Sequence, residues 1–449
     1  MAVRNSALAL LMLMASAASA PADAASPSSS QSETRPGPVA DGFTFFAAGD
    51  LLGPYGSTMP DVDAQVARVF SLIRTSDAAF ANHEGNVFDV GNFRGSLAAE
   101  NGGGYPIHSL EVFRKFREIG LNLISRANNH ATDWGVEGMI ASDEALDAIG
   151  LTHAGTGGSL EKARAPGFLS TSKGRVALIA TASTFTGMSP AGAPARGAAA
   201  RAGLNPLHVQ QVRLVKKDEY EALRRLAVNA GWQGYELPVK GTPDIHLDER
   251  TFRLAGKEGL TYEVSKVDQD ALLKSVGAAR DEAGFVVFSI HAHETLSGGY
   301  EDPAPADFLQ PLFRAAIDAG ADAVVRHGPH AVQGIEIYKG RPIFYGLASL
   351  FFDLPKTLTI ASDGPNKQVV ELPDSWYDGA AAVSSYVGGQ VKEIKIYPLL
   401  LDPRDGDGRG LPRLAQGAEA QRILRAIRDR SRDFGTNIQV HGDIGFIRL

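Results

Sequence analysis

The sequence predicts an α/β fold, a sandwich of mixed β-sheets flanked by helices. From about residue 43 onward, apolar runs of strand length alternate with amphipathic stretches of helical period, the order expected when crossovers join parallel strands. Those runs stop abruptly in turns that carry Asp, Glu, Asn and His. With 449 residues and 44% hydrophobic content, the chain has ample material for one large core or two.

The elements follow in order. A strand over 43–48 ends in Gly49-Asp50, a helix spans 62–73, and a strand over 77–82 ends in His83-Glu84-Gly85. The Gly-rich loop 91–104 is too long and polar to be a mere connection, and such loops border sites. A helix over 110–119 leads to a buried strand, 121–126, which stops in Ala127-Asn128-Asn129-His130; a helix then starts near Gly135 and runs to 149. A short strand over 151–154 and a pair over 168–170 and 176–181, turning at Lys173-Gly174, complete the first series.

Residues 187–203, rich in Ala, Gly and Pro, break the pattern. The segment of about 204–284 is more charged and reads as a mainly helical insertion, with helices over 218–230 and 268–283 and a polar stretch over 231–263 able to lid a site or meet a partner. Alternation resumes with a strand over 285–290 ending in His291-Ala292-His293-Glu294, a helix over 308–319, and a strand over 323–326 ending in His327-Gly328-Pro329-His330. A hairpin over 332–348 turns at Lys339-Gly340, a late strand spans 391–401, and an amphipathic helix over 418–431 closes the fold.

The first 20 residues are set apart from this domain. Arg4, an apolar run over 7–14 and the small-residue site Ala18-Ser19-Ala20 read as a cleaved secretory signal peptide, followed over 21–42 by a disordered tether rich in Ser, Pro and Ala. A secreted or periplasmic location is therefore expected, with no transmembrane segment in the mature chain. Absence of cysteine excludes disulfides and thiolate ligands, so any metal must be held by His, Asn and carboxylates. A net charge of -7 without a basic stripe argues against a nucleic-acid partner.

In open α/β sheets, ligands sit outside the carboxyl ends of the strands. Asp50, Glu84, Asn129 with His130, His291 with His293, and His327 with His330 all fall there. Carboxylates, an amide and several neutral imidazoles suit divalent Mn, Zn or Fe, one or two per chain, and Asp50 or Glu84 has the two oxygens needed to bridge a pair. Such a pair clamps a tetrahedral oxyanion.

Read together, Gly49-Asp50, Asn82-His83-Glu84-Gly85, Ala127-Asn128-Asn129-His130 with Asp133 and Gly135, His291-Ala292-His293-Glu294, Gly320-Ala321-Asp322, His327-Gly328-Pro329-His330 and Tyr338-Lys339-Gly340 through Phe344-Tyr345-Gly346-Leu347 form an ordered series. It resembles the bacterial capsule-synthesis protein CapA family, the poly-γ-glutamate biosynthesis proteins, which are similar to calcineurin-like metallophosphoesterases. The similarity runs from Phe43 to the C-terminus. It implies a calcineurin-like metallophosphatase sandwich in which Asp50, Glu84, Asn129, His130, His291 and one or both of His327 and His330 are metal ligands.

The series departs from the family pattern at several points. Leu52 replaces the histidine that phosphoesterases place after the first aspartate. His83 stands where the family has leucine, and Ala348-Ser349 alters the late serine-leucine-glycine-asparagine motif. The pattern histidine-tryptophan-glycine is His291-Ala292-His293 here, and Gly-His-His-Pro-His is Arg326-His327-Gly328-Pro329-His330, so one imidazole is missing at Gly328.

The resemblance implies an exported metal-dependent protein of capsule or exopolymer synthesis or processing, a metallo-hydrolase acting on an anionic polymer or phosphoester, with membrane-bound synthesis machinery as a partner. The competing expectation is a non-catalytic envelope protein that binds or tethers an anionic polymer. Because the remaining donors nearly fill a paired site, His293 and Glu294 are expected to act as an outer acid or base or as substrate contacts.

Overall fold

Side-chain alternation along the strand Phe43–Leu52 decides the layering. Phe43, Phe45 and Ala47 pack into one core, whereas Phe46, Ala48 and Leu51 pack into another on the opposite face. The computed structural model describes residues 36–230, 244–247, 250–300, 302–360, 368–401 and 409–449. The expected signal peptide and most of the expected tether lie outside these residues. Within residues 36–42, the end of that tether, Val39 is buried and the Ala40 N–H donates to Lys173 O at 2.8 Å.

The first sheet runs in the order Gln439–His441, Ile444–Arg448, Gln390–Leu401, Asp378–Val387, Phe43–Leu52, Ala78–His83, Leu123–Ser125 and Thr152–Ala154. From Phe43–Leu52 to Thr152–Ala154 the pairing is parallel, and toward Asp378–Val387 it is antiparallel. A second sheet runs Ile335–Tyr338, Arg341–Phe344, Ala323–His327, Phe285–His291, Gly174–Ala182 and Gly167–Thr171, parallel in its centre with antiparallel edges. The sheets pack face to face through Phe43, Phe45, Phe80, Leu178, Val287, Val325 and Phe344, with the Phe43 and Phe285 ring centroids 4.9 Å apart. This is the mixed α/β sandwich that the sequence predicts.

Helices cover both outer faces. Ala64–Arg74 is capped by Asp63, whose carboxylate accepts from the Gln65 and Val66 N–H groups, and it buries Val66, Val69, Phe70 and Ile73 at helical spacing against the first sheet. Leu110–Glu118 buries Val112, Phe113 and Phe116 beside it. Lys266–Glu282 and Leu309–Ala319 cover the second sheet through Leu272, Val276, Leu312 and Phe313.

The region read as a mainly helical insertion contains a sheet of its own. Ile245–Leu247, Arg250–Leu254, Val209–Val215 and Gly259–Val264 form four strands beside the helix Lys217–Asn229. The sheet is hard to read because Val209–Val215 fully buries only Val212 and Val215, so its apolar alternation is broken by Gln210, Gln211 and Arg213. Residues 231–243 of the expected polar stretch lie outside the described residues. The central strand Asp378–Val387 is also unexpected, because Gly, Ala and Ser are poor strand formers; here Ala380 and Ala382 fill narrow space in the intersheet core.

Candidate metal centre

Strand pairing brings the sequence-distant donors together. Asp50 lies opposite Asn82 on one side and Ser349 on the other, and His291 lies opposite His327 in the second sheet. Gly49 allows the closest approach: a Cβ there would meet Ala348 O at 1.5 Å, so any side chain would push apart the two segments beside Asp50.

Asp50 Oδ1 accepts from Asn82 Nδ2 at 2.8 Å, and its Oδ2 accepts from the Gly328 N–H at 3.2 Å. His330 Nδ1 lies 3.4 Å from Asp50 Oδ2 and His327 Nδ1 3.7 Å from Asp50 Oδ1. Across the cluster, Glu84 Oε1 is 3.7 Å from His291 Nε2 and 3.9 Å from His130 Nε2. His291 Nδ1 lies 3.0 Å from His327 Nδ1, and His291 Nε2 lies 2.9 Å from His293 Nε2. Three overlapping groups of close ligand atoms result: Asp50, His291 and His327; Glu84, His291 and His293; Asp50, Glu84 and His330. Asp50 and Glu84 each belong to two of them, as carboxylates bridging a pair of ions would.

The donors suit a cation on two further counts. Glu84 Oε2 and Asn129 Oδ1 are buried acceptors with no hydrogen-bond partner, an expensive arrangement unless something positive faces them. Burial also holds His291 well below its ordinary value, pushes His293 down to about 3 and pulls His327 down to about 4, so these rings present neutral lone pairs. Burial and the neighbouring Asp50 charge push Glu84 well above the carboxylate range. Burial acts on Asp50 in the same sense, but His330 and His327 outweigh it and hold that carboxyl low. This cluster can therefore hold a metal ion.

Of the remaining sequence-predicted residues, Asn129 donates from Nδ2 to Gly102 O at 2.9 Å, which ties it to the Gly-rich loop. His130 Nδ1 is 2.5 Å from Asp133 Oδ2; a proton on Nδ1 leaves Nε2 as the free acceptor on the Glu84 side. Asp133 also accepts from the Gly102 N–H at 2.8 Å, so the Gly-rich loop does border the site. Glu294 is not in the cluster: its Oε2 accepts from Ser183 Oγ at 2.8 Å, and burial raises its carboxyl. Together with Thr184, Gln211, Tyr262, His293 and Tyr300 it lines a cavity of about 230 Å³ beside the cluster. Gln211 and Tyr262 belong to the inserted sheet.

Further residues support these donors from behind. Asn128 donates to Asn82 Oδ1 at 3.2 Å and to His83 O at 2.7 Å, while its Oδ1 accepts from the His130 N–H at 3.1 Å. Ser289 Oγ lies 2.8 Å from His327 Nε2. Behind Glu84, the fully buried Arg126 donates to Gly85 O and lies 3.0 Å from His83 Nδ1; His83 in turn meets His108 at 3.2 Å. Asn82, Asn128 and Asp133 sit inside the motif strings, and the three-residue step from His130 to Asp133 was a readable contact signal. Arg126 and His108 carried none, since a strand-end arginine and a loop histidine are ordinary surface residues.

An α/β sandwich with carboxylates and imidazoles gathered at its strand ends defines a protein with a site that can hold a metal ion. The family model described as bacterial capsule synthesis protein PGA_cap matches residues 44–354, and this chain belongs to that family. It is 35% identical over 445 residues to protein y4sH of Sinorhizobium fredii, covering 92% of this chain and 94% of that one. The PGA biosynthesis protein CapA of Bacillus subtilis is 25% identical over 320 residues, 70% of this chain and 64% of its own length. Among solved structures, a putative 5'-nucleotidase from Staphylococcus aureus in complex with alpha-ketoglutarate aligns with a TM-score of 0.36 and 11% identity, over 87% of this chain and 58% of that one. Family membership supports a capsule-related role, and no helix among the described residues is long and apolar enough to cross a membrane.

Proposed function

We propose that this chain is an exported, metal-dependent hydrolase of capsule or exopolymer synthesis or processing, acting on an anionic polymer of poly-γ-glutamate type or on a phosphoester. The observation that carries the proposal is the buried cluster in which Asp50 and Glu84 are each shared between ligand groups and Glu84 Oε2 has no partner. Asp50, Glu84, Asn129, His130, His291, His327 and His330 would hold one or two ions of Mn, Zn or Fe. Divalent ions bound there supply Lewis acidity to a phosphoryl or carbonyl oxygen and charge neutralisation for an anionic substrate.

The chain's own groups do the rest. Asp133 fixes the His130 ring, so that Nε2 faces the Glu84 side of the cluster as its ligand atom. The adjoining cavity receives the substrate, with Glu294 and Thr184 as polar contacts and the Tyr262 and Tyr300 rings as walls. Tyr300 is held by its hydroxyl, which donates to Gly328 O at 3.1 Å.

The test is reconstitution of purified protein with Mn, Zn or Fe, followed by assay on an aryl phosphate and on poly-γ-glutamate. Metal-dependent turnover of either, lost in Asp50→Ala, is the expected result. Tight polymer binding without turnover would support the tethering role instead. Export is tested by N-terminal sequencing of protein from the envelope fraction, with a start close to Pro21 expected and a retained Met1 contradicting it.

A further inference from the structure

Gly328 and His293 occupy one another's space. Gly328 has φ +110, a region that favours glycine, and a Cβ added to it would stand 2.6 Å from His293 Cδ2, 3.1 Å from His293 Nε2 and 3.3 Å from His291 Cε1. Any side chain at 328 would force the His293 imidazole out of the position it holds here. The volume beside His291 that residue 328 would fill is filled from the end of the neighbouring strand instead.

The filling ring is aimed at the cluster. His293 Nε2 is 2.9 Å from His291 Nε2, and both lie within 4.8 Å of a Glu84 carboxylate oxygen. Ligand bonds of about 2.1 Å give coordination-polyhedron edges of about 3.0 Å in an octahedron and 3.4 Å in a tetrahedron. The 2.9 Å separation of the two nitrogens matches the shorter edge, and the 3.7 Å between His291 Nε2 and Glu84 Oε1 is 0.3 Å beyond the longer one. The ring is also held in place. The His293 backbone N–H donates to Thr184 Oγ1 at 2.9 Å, and the Tyr300 ring stands edge-on to the imidazole with centroids 5.3 Å apart. The two motif departures match this geometry: a glycine stands where the resemblance implies a histidine, and a histidine where it implies a glycine.

We propose that His293 is itself a metal ligand, with His291 and Glu84, and that its imidazole takes the place of the one absent at Gly328. His293 thus moves from the outer acid or base expected from the sequence into the ligand set, and the two-site capacity of the centre is kept. This rests on the metal-binding reading of the cluster.

The test uses Co(II) as probe on the full chain. Co(II) is titrated into wild type, His291→Ala and His293→Gly, with stoichiometry, affinity and the visible absorption spectrum recorded and circular dichroism confirming that each variant is folded. His293→Gly should bind one of its ions on the order of 10- to 100-fold or more weakly and with a changed spectrum. Millimolar free imidazole, entering the space vacated by the ring, should restore both. Unchanged stoichiometry, affinity and spectrum in His293→Gly would overturn the proposal. So would weaker binding with the wild-type spectrum, which marks a positioning residue outside the ligand set. A wild type that takes up no Co(II) would instead sink the metal-binding reading as a whole.

Discussion

Replacing Asp143 by Asn should destabilise the protein far more than a half-buried aspartate would ordinarily warrant. Arg126 is fully buried, with its Nε 3.3 Å from Asp143 Oδ1; the two side chains are 0% and 16% exposed. Burial pulls the guanidinium below its ordinary value and Asp143 pushes it back up, so this carboxylate is what keeps the buried charge tolerable. Removing one partner of a buried pair costs roughly 3–5 kcal/mol, because the other charge is left uncompensated. The lower end applies here, since Arg126 keeps its bond to Gly85 O and Asn retains an oxygen for the Thr156 hydroxyl, so the expected loss is about 3 kcal/mol. Chemical denaturation of Asp143→Asn, Arg126→Met and the double variant measures it. Arg126→Met removes the charge itself, so the double variant should be non-additive by about 1–3 kcal/mol. Because Arg126 holds the Glu84-Gly85 turn, metal affinity should fall in the two variants that carry Arg126→Met. A loss below about 1 kcal/mol in Asp143→Asn, or strict additivity, would refute the reasoning.

Three further outcomes are expected. His291→Ala should lose metal without unfolding the sheets, read by metal analysis alongside circular dichroism; full retention of metal would remove His291 from the ligand set. Asp133→Asn should weaken metal binding or turnover by about 10- to 100-fold, because it frees the His130 ring while leaving every first donor in place; wild-type values would show that the 2.5 Å contact is ornamental. Burial pushes His108 down from 6.5 to about 4, so the unfolded chain takes up this proton first as pH falls. The stability His108 contributes is therefore present above pH 6.5 and lost between 6.5 and about 4, a span of 2.5 units or roughly 3 kcal/mol at 1.36 kcal/mol per unit. In His108→Gln, which keeps an acceptor for the Gly53 N–H, urea denaturation across that window should show a shallower loss; an unchanged slope would refute the assignment.

Much of this architecture was legible because the apolar runs are short, abruptly ended and alternate with amphipathic helices. The runs before Asp50, Glu84, Asn129, His291 and His327 are strands or lead directly out of them, and Asp50, Glu84 and the two histidines do meet. What escaped was set by local chemistry. Asp378–Val387 is hidden by its alanines and serines, whose small volume is what the narrow intersheet space accepts. The inserted sheet is hidden by glutamines and an arginine on Val209–Val215, a strand half open to solvent. At the centre itself, periodicity finds strand ends but not the direction of rings. The exclusion between Gly328 and His293 depends on a backbone angle and a 2.6 Å approach that no spacing rule encodes.

Anomalous diffraction tests most directly whether the strand-end cluster holds divalent metal. Crystals of Mn- or Zn-loaded protein, measured on either side of the metal absorption edge, should show one or two peaks within bonding distance, about 2.0–2.2 Å, of donor atoms from Asp50, Glu84, His291 and His330. Loaded crystals with no peak there, or with metal only at surface histidines such as His441, would contradict the account.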